Sequence, residues 1–123
     1  MRGIAFKGNS IAEVIDYPEI APGPEQVLVK LRSSGLCGSD FMSYRDKSPN
    51  EHNAELRRPG HEPCGEIVEL GPNVKGLSVG DRIIQHHYEG CRKCDYCLTG
   101  WQQLCEVTDK KEYYGRSMHG GHG

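Results

Sequence analysis

Gly60-His61-Glu62-Pro63-Cys64-Gly65-Glu66-Ile67-Val68-Glu69-Leu70-Gly71-Pro72-Asn73 is the stretch on which the fold turns. It opens as a Gly- and Pro-bounded turn. Gly65 to Leu70 then reads as a strand, and Gly71-Pro72-Asn73 closes it with turn-forming residues. Upstream, Gln26-Val27-Leu28-Val29-Lys30-Leu31-Arg32 alternates apolar and polar positions, the period of a half-buried strand, after a stiff Pro22-Gly23-Pro24 turn. Further back, Met1–Phe6 and Ile11–Tyr17 flank Gly8-Asn9-Ser10 as a hairpin. Downstream, Val79-Gly80-Asp81-Arg82-Ile83-Ile84 leads into another strand. Ser34 to Asp40 breaks the strand before it and leaves Cys37 at its end. Asp40-Phe41-Met42 is expected to begin a short helix capped by Ser39 or Asp40. The polar run 43–58 is expected to be a flexible loop. With 16 glycines and 7 prolines among 123 residues, turns are frequent and strands short. The class is mainly β with short helices, consistent with a barrel.

Composition excludes several roles. Lys and Arg number 15 against 17 Asp and Glu, a net charge of −2, and the pI is near 6.3. So balanced a surface offers neither nucleic acid nor an acidic membrane an electrostatic partner. Mean hydropathy is −0.64, and no apolar run reaches the roughly 18 residues a membrane span needs. The N-terminal apolar stretch is too short for a signal peptide, so the expected compartment is the cytoplasm.

Six cysteines mean either disulfides or metal. Four are clustered as Cys91-x2-Cys94-x2-Cys97-x7-Cys105 in a lobe spanning 88–108, and Cys37 and Cys64 stand apart. Two-residue gaps let adjacent thiolates share one ion, and a fourth from a returning segment closes a tetrahedron. Zinc is the favoured reading, with an iron–sulfur cluster or free or bridged thiols as alternatives. Tyr96 and Trp101 are the only aromatics inside the cluster, which is poor provision for a nucleic-acid knuckle.

Cys37, His61 and Glu62 supply the thiolate, imidazole and carboxylate that zinc accepts where one position stays open. Asp40, three residues past Cys37, is placed to take the second ring proton of His61. Ser39 could hand on a proton from a bound hydroxyl. By spacing alone each of these residues also has a structural reading, and Cys64 reads as a small core residue.

Together, Gly35-Leu36-Cys37-Gly38-Ser39-Asp40, Gly60-His61-Glu62-Pro63-x-Gly65, Gly71-Pro72-x-Val74, Val79-Gly80-Asp81-Arg82 and the four-cysteine lobe resemble the zinc-containing medium-chain alcohol dehydrogenases. The likeness is to their N-terminal GroES-like catalytic domain and covers essentially the whole chain. The resemblance implies a partly open β-barrel with a zinc-stapled lobe. It implies Cys37, His61 and Glu62 as catalytic-zinc ligands, with Asp40 behind His61 and Ser39 nearest the substrate oxygen. It further implies Cys91, Cys94, Cys97 and Cys105 as structural-zinc ligands and His87 in the substrate pocket.

The implied activity is oxidation of an alcohol or polyol by hydride transfer to NAD or NADP. The implied partners are a small-molecule alcohol and other copies in a homo-oligomer. The sequence departs from the family at Met42, where many members place a relaying His; Tyr44 or His52 is an alternative route. No strand here is followed by G-x-G-x-x-G and a helix, so no nucleotide domain is recognisable, and a further downstream ligand is absent. The His119–Gly123 end reads as a turn and not as a phosphate cradle. The expectation is a fragment inactive alone, prone to self-association through exposed edges. The alternatives are a non-catalytic zinc-binding interaction module and, less well matched, a zinc-free quinone reductase of the same barrel family.

Overall fold

The computed structural model describes residues 1–47, 59–107 and Gly121. Among them the order is β1 (Arg2–Gly8), β2 (Ile11–Asp16), β3 (Val27–Ser34), α1 (Gly38–Arg45), β4 (Pro63–Leu70), β5 (Arg82–Ile84) and α2 (Asp95–Leu98), followed by a 3-10 turn at Gln102–Leu104. β1 and β2 form an antiparallel hairpin, and β3, β4 and β5 form an antiparallel sheet in the order β3-β4-β5. The two sheets are not closed on one another.

The hairpin forms where the sequence places it. Gly8 pairs with Ile11, leaving Asn9-Ser10 as a two-residue loop with φ of 51° and 62°. Positive φ at both central residues matches the turn to the right-handed twist of the strands. The Met1 amino group donates to the Tyr17 carbonyl at 2.9 Å, and the Tyr17 hydroxyl donates to the Ile4 carbonyl at 3.2 Å. Those bonds close the open end, with Tyr17 and Ala5 buried.

β4 is the central strand of the larger sheet, and its pattern is the clearest in the chain: Pro63, Gly65 and Ile67 are buried on one face. Gly65 is required there, because a Cβ would strike the Lys30 carbonyl of β3. β3 departs from strict alternation: Val27, Leu28 and Val29 are all half-buried. The pairing with β4 shifts register between Leu28 and Val29, and again between Leu31 and Ser33. A bulge turns consecutive residues toward one side and is invisible to a period-2 reading.

Several boundaries differ from those expected. β3 stops at Ser34, so Cys37 lies beyond the strand as the N-cap of α1, with φ −81° and ψ 157°. Ser39 and Asp40 are already inside the first turn, because a cap needs extended backbone. The helix runs on through Arg45, so Ser43, Tyr44 and Arg45, assigned to a loop from sequence, are helical. The rest of that stretch, 48–58, lies outside the described residues. β4 starts two residues early, at Pro63, and β5 is limited to Arg82–Ile84. Of the Gly-rich end, only Gly121 is described; its amide donates to the Gly60 carbonyl at 2.8 Å. The His119 and His122 reading lies outside the described residues. No helix among the described residues is long and apolar enough to cross a membrane.

Candidate metal centres

The sheet brings two ends together. The Gly35 amide, just past β3, donates to the Glu62 carbonyl, just before β4, at 3.0 Å. That bond sets the Cys37 turn beside the His61–Glu62 turn, where Gly60 has φ +97°. One donor atom each from Cys37, His61 and Glu62 then lie within 4.8 Å of one another. Cys37 and His61 are half-buried and Glu62 is exposed. A Cβ at Gly35 would run into Glu62 Oε2, so the close approach depends on glycine there.

Asp40 supports the set from behind. It is the only buried polar or charged residue among those described, 5% exposed. Its Oδ2 accepts the Cys37 amide at 2.9 Å, and its Oδ1 stands 3.6 Å from His61 Nδ1. A proton on Nδ1 faces that carboxylate and leaves Nε2 as the nitrogen with a free lone pair. On that side, Ser39 Oγ lies 3.4 Å from Nε2. A soft thiolate, an oriented imidazole and one exposed carboxylate suit a zinc ion with an open position.

His87, expected in the substrate pocket, lies beside the donor set, with its ring centroid 5.2 Å from that of His61 and edge-on. Burial lowers its pKa, the neighbouring His61 and His86 lower it further, and Glu62 opposes them. Sequence reasoning missed its companions. His86 stacks on His87 at 5.5 Å, and Tyr88 lies 4.2 Å from His87. The signal was there to read, as three consecutive ring side chains, His86, His87 and Tyr88, stand between β5 and the first cysteine of the lobe. Cys64 stays apart from the donor set, its Sγ 3.5 Å from Ser33 Oγ.

The lobe carries a second cluster. The Sγ atoms of Cys91, Cys94, Cys97 and Cys105 all lie within 4.8 Å of one another. Cys94–Cys97 is 3.5 Å, Cys91–Cys97 3.9 Å and Cys94–Cys105 4.0 Å. A tetrahedral ion with bonds of about 2.3 Å sets its sulfurs about 3.8 Å apart, whereas a disulfide needs about 2.05 Å. The spacing fits one ion and excludes bridges, and all six cysteines are free thiols. A cluster is larger than an ion and would hold its thiolates further apart.

Local backbone makes this possible. Arg92 takes φ +60°, and the Cys94 amide donates to Cys91 Sγ at 3.4 Å. Gly90 leaves room for Cys97, since a Cβ there would sit 2.6 Å from its Sγ. The amides of Cys94 and Lys93 lower the Cys91 thiol. Burial pushes the Cys97 thiol up to about 12, against the Arg92 amide.

Comparison with known proteins places the chain in a family. The family described as the alcohol dehydrogenase GroES-like domain matches residues 23–123. The uncharacterized zinc-type alcohol dehydrogenase-like protein YphC of Escherichia coli K12 is 35% identical over 125 residues, 94% of this chain and 34% of that protein. A sorbitol dehydrogenase of Halalkalibacterium halodurans is 44% identical over 99 residues, 80% of this chain and 28% of that protein. Among solved structures, the cobalt- and zinc-bound thermostable alcohol dehydrogenase of Pyrobaculum aerophilum superposes with a TM-score of 0.80 at 33% identity, covering 98% of this chain and 36% of that one. The chain therefore spans about a third of the length of these relatives.

Proposed function

The chain belongs to the alcohol dehydrogenase GroES-like domain family, with the unclosed sheets of a partly open barrel, and from that premise we propose that it is the zinc-holding catalytic domain of an alcohol or polyol dehydrogenase. Residues 1–123 belong to that N-terminal domain without completing it, with the structural-zinc lobe at 88–108. Cys91, Cys94, Cys97 and Cys105 hold a structural zinc, and Cys37, His61 and Glu62 hold a catalytic one. The observation that carries this reading is the convergence of thiolate, imidazole and carboxylate from two separate turns to within 4.8 Å.

When bound, zinc supplies Lewis acidity at an alcohol oxygen and NAD or NADP accepts the hydride, so the chain's residues have only to position the substrate and move a proton. Asp40 fixes the His61 ring, and the Ser39 hydroxyl at the edge of the donor set receives the alcohol's proton. Onward transfer cannot use Met42, which has no ionisable group and is 75% exposed. Tyr44 is engaged at the far end of α1 with Phe6, ring centroids 5.8 Å apart. His52 lies outside the described residues. Among the described residues, Ser39 is the group from which the proton leaves the donor set. His87 borders the substrate. The substrate is a small alcohol, and the working assembly is a cytoplasmic homo-oligomer with a nucleotide-binding partner domain.

The test is metal content of the purified chain. Wild type should hold one zinc firmly at the four-thiolate lobe and a second weakly and in part at Cys37 and His61, and Cys37→Ser and His61→Ala should each abolish the weaker binding alone. A single ion indifferent to both substitutions would leave only a zinc-stapled interaction module.

A further inference from the structure

α1 carries Ser39 and Asp40 and is capped by Cys37, yet little of its own holds it in place. Asp40 is its only buried residue. Phe41 and Met42 are exposed, and the Arg45 guanidinium lies 5.5 Å over the Phe41 ring on the helix's own surface. Eight residues is well under the roughly 12 to 15 at which an isolated helix persists in water. Nor does the helix end on a glycine: Asp46 at its C-cap has φ −55° and ψ 123°. The last carbonyls must find donors elsewhere.

They find them on the first hairpin. The Asn9 amide donates to the Asp46 carbonyl at 2.7 Å and the Ser10 amide to the Tyr44 carbonyl at 2.8 Å. Beneath them, Phe6 of β1 meets the Tyr44 ring edge-on. Both amides point outward from the hairpin because Asn9 and Ser10 adopt positive φ. The helix is thus held at one end by Asp40 against Cys37 and His61, and at the other by a loop that supplies none of the donor atoms.

We propose that the Asn9–Ser10 loop and the Phe6–Tyr44 contact are positioning elements for the Cys37, His61 and Glu62 set. They fix the orientation of α1 and with it the approach of Cys37 and Asp40 to His61. This inference rests on reading those three residues as a cation site. The four-thiolate lobe lies on a different segment and serves as an internal control.

The experiment is zinc competition against a chromogenic chelator on the full chain, resolving the two sites. Ser10→Val places a β-branched residue where φ is +62°, which valine resists, and so turns the amides away. Ser10→Gly keeps both the conformation and the amide. Tyr44→Leu removes the ring contact and leaves the loop intact.

The expected result is about a tenfold loss of zinc affinity at the open site in Ser10→Val, the scale seen when outer supports of a metal ligand are lost. Tyr44→Leu should show a smaller loss, Ser10→Gly should match wild type, and the four-thiolate affinity should be constant. Wild-type open-site affinity in both Ser10→Val and Tyr44→Leu would overturn the proposal, as would equal weakening of both sites. If wild type itself binds one zinc, unaffected by Cys37→Ser, the cation-site reading fails first and takes this inference with it.

Discussion

The Asp40 carboxylate lies 3.6 Å from Nδ1 of His61, and its second oxygen accepts the backbone amide of Cys37 at 2.9 Å. One buried side chain thus ties together two donors that the sequence holds far apart. Burying an anion is costly unless its oxygens are satisfied, and here both oxygens face the site they organise.

Asp40→Asn keeps the shape and removes the charge. The expected outcome is a 10- to 100-fold loss of zinc affinity at the open site, roughly the effect of losing a ligand's supporting partner. Stability should fall by about 1 to 3 kcal/mol, the range for a lost hydrogen bond to a charged group. Chelator competition and urea unfolding measure the two effects separately, and unchanged zinc affinity would deny Asp40 its orienting role.

Gly35 and Gly38 flank Cys37 and should respond in opposite ways. A Cβ at Gly35 collides with Glu62 Oε2, while one at Gly38 meets nothing within 4 Å. Gly35→Ala should displace the Glu62 carboxylate and weaken the open site. Gly38→Ala should stabilise the chain by about 0.5 to 1 kcal/mol, because alanine costs less backbone entropy than glycine in a helix. Thermal melts and zinc titration of the pair decide the matter.

The lobe has almost no core of its own: Cys105 is its one buried residue among those described, and α2 is a single four-residue turn. Its order should depend on the ion. Cys105→Ser, or exhaustive chelation, should expose the lobe to proteolysis between Cys91 and Cys105 while β1–β2 and β3–β5 persist. Trp101, the chain's one tryptophan, sits inside the lobe, so its fluorescence should shift on zinc withdrawal and recover on readdition.

Zinc uptake by the lobe should release protons. With its thiol pushed up to about 12 by burial, Cys97 keeps its proton at neutral pH until a cation takes the sulfur. The bound form then carries fewer protons than the free form, so raising the pH favours binding. Apparent affinity should climb about tenfold per pH unit for each proton released and fall as the solution is acidified. Titration in two buffers of different ionisation enthalpy counts those protons, and a pH-independent affinity would contradict the assignment.

Local chemistry was enough to read the hairpin about Asn9-Ser10, the central strand ending at Leu70, and the Cys91-x2-Cys94-x2-Cys97 spacing, because each depends on neighbours within a few positions. The candidate ligands were legible as residue types for the same reason. What sequence could not supply was the bulged register of β3, which breaks its alternation, or the true cap of α1. Nor could it show His86 and Tyr88 gathered around His87, or the hairpin loop bonded to the end of α1. Those depend on which strand edges meet and in what register, and pairing energies act between segments whose separation along the chain leaves no local trace. The donor types were written into the sequence, but whether Cys37, His61 and Glu62 could ever face one cation was decided only when β3 and β4 paired.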